Sequence, residues 1–385
     1  MTTTINKEQK NPNVPNLRFP EFEGEWQEKR LSDIADFSKG IGISKDQLSA
    51  DGEPCILYGE LYTKYKYETI KEVISKTNID NTKLVKSKAN DVIITCSGET
   101  AEEIATARCV LKDDILLGGD LNIIRLHGYD GSFMSYQLNG KRKYDIAKVA
   151  QGVSVVHLYG EHLKNIKTIN PSLNEQKKIA NLLSLLDERI STQNKIIEKL
   201  ESLIKGIRND VFGKLRKSVG FNAMISDVLS YEQPQSYLVE DTEYTNEGTP
   251  VLTANKAFIL GYTSEIEGIY DKGDCIIFDD FTLDCKYVDF SFKVKSSAIK
   301  ILTAKNKELL RYTFEFLKYL DLSTEEHKRH YITETQNKEF ILPTVQIIRT
   351  IAHAFYALSL WKETIVKQRY AFEKQKQHLL RQMFI

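Results

Sequence analysis

The chain has 385 residues, and its 53 lysine and arginine residues balance 53 aspartate and glutamate residues. Its length and its 41% hydrophobic content are enough for two or three domains with their own cores. The zero net charge excludes attraction of nucleic acid or anionic membranes by the chain as a whole, so any such surface must be local.

The N-terminal stretch, residues 1–16, is rich in Asn, Thr and Pro and contains no apolar segment. We expect a flexible tail, since it lacks the apolar core of a signal peptide or a membrane anchor. The five cysteines show no CxxC pairing and no neighbouring histidine at zinc spacing. These features predict buried free thiols in a reducing compartment, and therefore a cytoplasmic protein.

A first globular block, residues 17–168, contains short apolar runs between turn signals, such as CILYGELY, DVIITCSGE and DILLGGDLNIIRLHG. Short apolar runs bounded by Gly, Asn and Asp are typical of strands. The segments LSDIADF and GSFMSYQLNGKRKYDIAKVA have helical character. We therefore expect a mixed α/β domain.

The next segment, residues 169–217, has the seven-residue apolar spacing of a coiled-coil helix. Ser172 and Glu175 have the spacing of a capping box, and Gly213 stands where a helix C-terminal glycine is expected. The sequence predicts one helix from about Ser172 to Phe212. Its helix-pairing positions are Ile179, Leu183, Leu186, Ile190, Ile197, Leu200, Ile204 and Ile207.

The chain then repeats this order. Residues 218–340 form a second block, in which ISDVLSY, GTPVLTANKAF and KGDCIIFDDF follow the outline of the first. Residues 341–385 match the first helical segment without a gap. Each matching pair is 172 positions apart, as Phe212 and Phe384 are. Such a repeat indicates equivalent helices that can pair, and the long connection permits parallel as readily as antiparallel packing. The helix-pairing positions of the second copy are Ile351, Phe355, Leu358, Ile365, Phe372 and Leu379.

Catalytic motifs are absent or incomplete in the sequence. There is no GxxxxGK[ST] motif for nucleotide phosphates and no Asn/Asp-Pro-Pro-aromatic motif of a methyltransferase. The strongest enzymatic candidate is IIFDDFTLDCK, in which Asp279 or Asp280 ends a strand and Asp284 and Lys286 have D-x-K spacing. Metal-dependent nucleases use such groups, and the alternative is a polar hairpin.

Globular blocks and long helices alternate over essentially the whole chain. Three segments within this alternation are characteristic: LRFPEFEGEW, NPSLNEQKKIANLLSLLD and QHLLRQMF. In these segments and this order, the sequence resembles the specificity subunits of type I restriction-modification systems. The most specific motif contains Glu175, Gln176 and Lys177. The second copy departs from it, because Ile347 and Ile348 stand at the first two of these positions.

The resemblance implies an α+β fold with two similar mixed α/β globular target recognition domains separated by two long antiparallel coiled-coil helices. The target recognition domains would be residues 17–168 and 218–340, and the spacer helices residues 169–217 and 341–385. It also implies a non-catalytic subunit whose domains each read half of a bipartite site in double-stranded DNA. The helices would set the separation and dock methyltransferase subunits, and restriction/translocase subunits would join them. No cofactor is expected in this chain, and S-adenosylmethionine, ATP and Mg are expected on the partner subunits.

Basic and aromatic loop residues are the candidates for DNA contact, since Arg and Lys reach phosphates and guanine edges. In the first block these are Lys39, Tyr62, Lys64, Tyr65, Lys66, Tyr67, Lys141, Arg142, Lys143 and His157. In the second block these are Tyr262, Lys286, Tyr287, Lys328, Arg329, His330 and Tyr331.

Two other functions stay open at this point. One is a stand-alone metal-dependent DNA endonuclease built on Asp279, Asp284 and Lys286. The other is a coiled-coil scaffold without DNA affinity. The HKRHY segment, with His327 and His330, favours a basic loop over a metal site.

Overall fold

The computed structural model describes residues 13–80, 82–152, 155–253, 258–326 and 328–385. The chain divides into two compact units. Unit 1 runs to Asn194 and also contains Gln368–Ile385, and unit 2 is Lys195–Lys367. Within the described ranges, no helix is both long enough and apolar enough to cross a membrane.

Unit 1 contains two five-stranded sheets, with strand orders β2-β12-β8-β10-β5 and β3-β6-β4-β11-β7. Its strands are β1 (Gln27–Arg30), β2 (Ala35–Lys39), β3 (Leu48–Ser49), β4 (Glu53–Ile56), β5 (Thr69–Ile70), β6 (Ser75–Thr77), β7 (Val85–Lys86), β8 (Asp91–Thr95), β9 (Ser97–Gly98), β10 (Ala107–Val110), β11 (Leu116–Leu117), β12 (Leu121–Leu126), β13 (Val156–His157) and β14 (Lys167–Asn170). Its helices are α1 (Leu31–Ile34), α2 (Glu60–Thr63), α3 (Ala101–Ile104), α4 (Gly131–Asn139), α5 (Lys143–Val149), α6 (Gly160–Lys164) and the first half of α7 (Leu173–Ser218), with a 3-10 turn at Lys45–Gln47.

Strand β8, with the sequence DVIIT, is buried along its whole length because both faces of its sheet are covered. Val92 and Ile94 pack in one core cluster with Met134 of α4. Ile93 points the other way and packs with Ile56 of β4. Successive side chains of a strand face opposite sides, so a strand between two layers is a continuous apolar run rather than an alternating one.

Unit 2 contains a four-stranded sheet of order β16-β22-β19-β20 and a three-stranded sheet of order β18-β17-β21. Its strands are β15 (Ala223–Met224), β16 (Leu229–Glu232), β17 (Thr249–Leu252), β18 (Ile259–Thr263), β19 (Cys275–Asp279), β20 (Cys285–Val288), β21 (Lys293–Val294), β22 (Ile299–Ala304) and β23 (Glu339–Phe340). Its helices are the second half of α7, α8 (Ile225–Val228), α9 (Leu309–Leu320) and the first part of α10 (Val345–Gln382), with 3-10 turns at Pro234–Tyr237 and Thr335–Asn337.

The two units share a sheet plan. A one-turn helix precedes an edge strand in both, α1 before β2 and α8 before β16, and the strands next to them pair in the same antiparallel order. Strand β19 also alternates between two core clusters, since Ile276 and Phe278 pack on one side and Ile277 on the other. The predicted pair of similar mixed α/β domains, with a long helix between them in the sequence, is confirmed.

The long helix α7 spans 46 residues, and the predicted end at Phe212 is wrong. Ser172 Oγ accepts the Glu175 N–H at its start, which is one half of the predicted capping box. The Glu175 carboxylate accepts hydrogen bonds from Arg18. Gly213 lies inside the helix, because a single glycine costs only about 1 kcal/mol there and the flanking Phe212 and Leu215 are buried. Gly220, with φ of +75°, follows the helix end.

Within unit 1 the first half of α7 pairs with the end of α10. Asp187 lies 2.7 Å from the Lys376 ammonium, and seven residues later Asn194 accepts a hydrogen bond from Arg369 at 3.3 Å. Seven residues forward on one helix correspond to seven residues back on the other. The two segments therefore run antiparallel.

Within unit 2 the second half of α7 pairs with the first part of α10 in the same sense. Glu201 lies 2.6 Å from the Lys362 ammonium, and the Arg208 guanidinium lies 5.7 Å from the ring centroid of Phe355. The direction that the sequence left open is therefore antiparallel in each unit.

The predicted helix-pairing side chains are all shielded from solvent. Those that are buried are Ile179, Leu183, Leu186, Ile190, Leu200, Phe355 and Ile365. Those that are partly buried are Ile197, Ile204, Ile207, Ile351, Leu358, Phe372 and Leu379. In the second copy, Lys362, Arg369 and Lys376 stand where the first copy has Ile190, Ile197 and Ile204. They form ion pairs with Glu201, Glu373 and Asp187, respectively.

The predicted tail, residues 1–16, lies mostly outside the described residues. Its last residues pack on unit 1, where Asn13 O accepts the Trp26 N–H at 2.9 Å and Pro15 is buried. All five cysteines are free and buried, as predicted.

Candidate nucleic-acid interface

The acidic hairpin with nuclease-like spacing is used by the fold itself. Asp279 Oδ2 accepts the Thr282 hydroxyl at 2.7 Å. Asp284 lies 2.7 Å from the Lys318 ammonium and 2.9 Å from that of Lys286. Over the described ranges, no group of three or more His, Cys, Asp or Glu side chains could hold a metal ion. The segment is a hydrogen-bonded hairpin in this structure.

Three predicted DNA-contacting side chains, Tyr65, His330 and Tyr331, are buried. The His330 ring Nδ1 lies 3.1 Å from Glu334, and the Tyr331 ring packs edge-on against Phe278 at 5.3 Å. A buried side chain cannot reach a phosphate or a base edge. Their assignment to a binding surface is therefore corrected to core positions. His327 lies outside the described residues.

Other predicted cations are held in local ion pairs. Lys64 lies 2.7 Å from Glu60 on the same helical turn. Lys328 lies 2.5 Å from Glu326 and 3.0 Å from Glu334. These side chains are exposed, and DNA phosphates would have to compete with the carboxylates for them.

The predicted tyrosines are divided between several surfaces. The Tyr62 hydroxyl forms a hydrogen bond with the hydroxyl of Thr95, the last residue of β8. Tyr67 faces α7, where burial raises the pKa of its phenol and hydrogen bonds to Ser191 and Asn194 oppose that rise. Lys66, between these positions in the sequence, is exposed and free to contact a ligand from solvent.

In unit 2, Tyr287 donates its hydroxyl to Asp274 at 2.7 Å, and Tyr262 of β18 is half-buried. Arg329 is exposed, and its guanidinium reaches the Ser297 hydroxyl at 3.5 Å. Arg329 is therefore the predicted cation of unit 2 that is least committed to the fold.

The GKRKY segment lies beside the C-terminal end of the chain. Arg142 donates to the Ile385 carbonyl at 3.2 Å and lies 3.4 Å from Asp145. Lys141 is exposed and Lys143 is half-buried. Arg142 therefore helps to hold the end of α10 against unit 1.

One set of side chains in unit 1, three of them exposed and one half-buried, does come together. We name Lys39, His157, Tyr159 and His162 the Lys39 cluster. The Lys39 ammonium lies 5.7 Å from the Tyr159 ring centroid. The His157 ring stacks on Tyr159 at 6.2 Å, and the His162 ring meets it edge-on at 5.6 Å.

The sheet positions this cluster. Lys39 is the last residue of β2, and His157 ends β13, which pairs with β9. The buried Asn122 amide donates to Leu158 O at 2.9 Å, and Leu158 N–H donates to Cys96 O at 2.8 Å. The HLYGEH segment is thus fixed across the ends of β8 and β12, with His157, Tyr159 and Glu161 exposed and His162 half-buried.

The equivalent position in unit 2 has a different surface. His330 N–H donates to Asp280 O as Leu158 N–H donates to Cys96 O, so the two segments are anchored alike. Tyr331 then corresponds to Tyr159, but it is 1% exposed against 45%. The two domains have the same fold and present different side chains at this edge.

Comparison with known proteins finds a similarity in the first part of the chain. Residues 23–202 match the family model described as a type I restriction modification DNA specificity domain. This part of the chain is similar to a type I DNA specificity domain. The Lys39 cluster lies within the matched residues.

Two curated specificity subunits are similar in sequence to this chain. The type I restriction enzyme EcoR124I/EcoR124II specificity subunit of Escherichia coli is 46% identical over 126 residues, 31% of this chain and 31% of that protein. The MjaVIII specificity subunit of Methanocaldococcus jannaschii is 29% identical over 209 residues, 54% of this chain and 46% of that protein. The matches thus span less than half of the length of either relative.

One solved structure extends the likeness in fold to nearly the whole chain. The S subunit of the type I restriction-modification system from M. genitalium aligns over 97% of this chain and 99% of its own, with a TM-score of 0.68 and 17% identity. The resemblance to type I specificity subunits is confirmed.

Two members of the Lys39 cluster, Tyr159 and His162, were not selected from the sequence. The available signal was the spacing of HLYGEH, where aromatic and imidazole side chains recur every two or three residues on both sides of Gly160. Whether such a tyrosine is exposed depends on strands distant in the sequence, so the spacing alone did not single it out.

Proposed function

We propose that this protein is the sequence-specific DNA-recognition subunit of a type I restriction-modification complex. The match of residues 23–202 to a DNA specificity domain carries the proposal. The exposed Lys39 and His157 of the Lys39 cluster support it, because lysine and histidine donors bind phosphates and base edges.

Each domain reads one half of a bipartite site in double-stranded DNA. The two domains share a sheet plan but present different side chains at the same edge, which supports this proposal. Tyr159 is exposed there in the first domain, and its equivalent in the second domain, Tyr331, is buried. Modules of one fold with different contact side chains recognise different sequences, because base readout depends on individual side chains. The recognised site is therefore asymmetric.

The long helices set the separation of the two half-sites and dock methyltransferase subunits. A continuous helix of 46 residues is on the order of 70 Å long at about 1.5 Å per residue. Its antiparallel pairing in each unit stiffens both halves of it. Restriction/translocase subunits join the complex through the same helices.

The subunit is itself non-catalytic and cytoplasmic. Methyl transfer from S-adenosylmethionine and ATP-driven translocation with Mg belong to the partner subunits. The acids of the IIFDDFTLDCK hairpin support this division, since Asp279 and Asp284 already serve local hydrogen bonds and ion pairs.

Mapping of methylated DNA in cells that carry the complete system tests the proposal. The expected result is one bipartite motif that disappears when this chain is deleted. Methylation without a defined motif, or with an unchanged motif after deletion, would contradict it.

Two alternatives predict different results with the purified chain. A stand-alone nuclease cleaves DNA when a divalent metal is added, and Asp284→Ala abolishes the cleavage. A scaffold without DNA affinity shifts no duplex even when the partner subunits are present. No observation on this structure favours either one.

A further inference from the structure

A buried polar cluster in unit 1 joins both long helices to the domain. The Lys376 ammonium on α10 lies 2.7 Å from Glu68 and 2.7 Å from Asp187 of α7. The Tyr136 hydroxyl donates to the other Asp187 oxygen at 2.6 Å. Burial raises the pKa of Asp187, and Lys376 opposes that rise. The Asp187 charge therefore depends on a cation supplied by the other helix.

A second cluster stands in the corresponding part of unit 2, with different chemistry. Glu315 of α9 accepts two hydrogen bonds from Arg208 of α7, at 3.0 and 2.7 Å. The Arg311 Nε lies 3.2 Å from the other Glu315 oxygen. Arg311 also donates to Phe355 O at 3.2 Å and to the Ser359 hydroxyl of α10.

The internal repeat permits the two clusters to be compared position by position. Each helical segment has an equivalent phenylalanine near its C-terminal end. Phe384 stacks on Phe133 in unit 1, and Phe212 packs on Phe316 in unit 2. The polar positions, by contrast, do not agree. The pairs that are equivalent in the repeat are Asp187 and Ser359, Ile204 and Lys376, and Arg208 and Leu380.

The difference matters because the equivalent phenylalanines pack on aromatic rings in both units and do not by themselves distinguish the two helix ends. If the end of α7 from a second copy entered unit 1, Ile204 would stand in place of Lys376. Asp187 and Glu68 would then be buried without their cation. If the end of α10 entered unit 2, Leu380 would stand in place of Arg208, and Glu315 would lose two hydrogen bonds. Breaking a buried ion pair in this way is strongly unfavourable.

We propose that the two buried clusters select which helix end each domain accepts, and so prevent two copies of this chain from exchanging helix ends. The packing of the equivalent Phe212 and Phe384 on aromatic rings supplies adhesion without discrimination. The polar clusters supply the discrimination, since specificity arises from penalties against the wrong partner as well as from contacts with the right one. The inference does not depend on DNA recognition.

Two differently tagged full-length copies, denatured, mixed and refolded without DNA or partner subunits, test the proposal. The readout is the fraction of one tag recovered on the affinity resin of the other. The key variant combines Glu68→Gln, Asp187→Ser and Lys376→Ile, which replaces the unit 1 cluster by uncharged groups. Lys376→Arg is the control, because it keeps the cation.

The expected result is little recovery of the second tag for the wild type and for Lys376→Arg. For the triple variant we expect a rise of about tenfold or more, since about 1.4 kcal/mol of lost discrimination changes an equilibrium tenfold. Exchange by the wild type, or a folded triple variant that does not exchange, overturns the proposal.

If the unit 1 variant does not fold, a variant of the unit 2 cluster tests the proposal in the same assay. It combines Arg208→Leu, Arg311→Met and Glu315→Gln. Exchange by this variant supports the proposal, and its failure to exchange when folded overturns it. Failure of both variants to fold also overturns it, because the clusters would then supply stability rather than selection.

Discussion

Asp284 stands between two lysines, and its ionisation links the stability of unit 2 to pH. Burial raises the pKa of the Asp284 carboxyl, but the hydrogen bonds from Lys318 and Lys286 outweigh this and leave the pKa lowered. A carboxyl with a lowered folded-state pKa contributes stability above its unfolded pKa, and that stability is lost as the pH falls through the folded pKa.

We predict that Asp284→Asn lowers the free energy of unfolding at pH 7 by less than about 1 kcal/mol, because the partly exposed pair is screened by solvent. The difference from the wild type should vanish in acid, below the folded pKa. Denaturant titrations at several pH values measure it. A loss of stability that stays constant into acid would contradict the ion-pair explanation.

Lys39 is the cation of the Lys39 cluster that lies closest to an exposed aromatic ring. If Lys39 binds a phosphate, Lys39→Ala weakens DNA binding by the assembled complex and lowers the slope of log affinity against log salt by about 1. Lys112→Ala, at another exposed lysine of unit 1, is the matched control and should leave the slope unchanged. Equal slopes for both variants and the wild type would remove Lys39 from the interface.

Residue-scale exposure was the part of the site that the sequence predicted least well. Tyr159 and Tyr331 occupy equivalent positions, yet only Tyr331 is covered, by Tyr231 of β16 and Phe278 of β19. Those neighbours are about 50 to 100 positions away in the sequence. Local spacing predicts which residue types meet at a segment, and the covering layer decides whether they face solvent.

At the scale of elements, the helices were predictable because their signal is local. The seven-residue spacing of α7 and the capping box at Ser172 both lie within one continuous segment. The helix end was mispredicted because a glycine was taken as a stop without knowledge of the buried Phe212 and Leu215 around it. The sheet order involves strands far apart in the chain, and no local pattern encodes it.

The glycines of α7 give a direct test of where this helix ends. A Cβ at Gly206 or Gly213 would meet no other atom, so we predict that Gly206→Ala and Gly213→Ala each raise the free energy of unfolding by about 0.5–1 kcal/mol. Gly220→Ala should lower it by about 1–2 kcal/mol, because alanine is strained at positive φ. Chemical denaturation monitored by circular dichroism measures all three. A destabilising Gly213→Ala would place the helix end at Phe212 after all.

At the scale of the whole molecule, the paired helices should act as a ruler. Inserting one heptad into α7 between Asp187 and Glu201 leaves α10 unchanged, so the ion pairs to Lys376 and Lys362 cannot both be kept. We predict weaker assembly with the partner subunits or an altered gap between the half-sites. Methylation mapping and size-exclusion chromatography measure these effects. The same heptad added at the N-terminus is the control, and an unchanged gap with unchanged assembly would show that the helices do not set the spacing.

The modular account of recognition is tested most directly by exchanging residues 218–340 for the corresponding domain of a known type I specificity subunit and mapping methylation in cells that carry the complete system. We predict that one half of the recognised sequence changes, while the other half and the gap stay the same. A change in both halves, or in neither, would contradict the account.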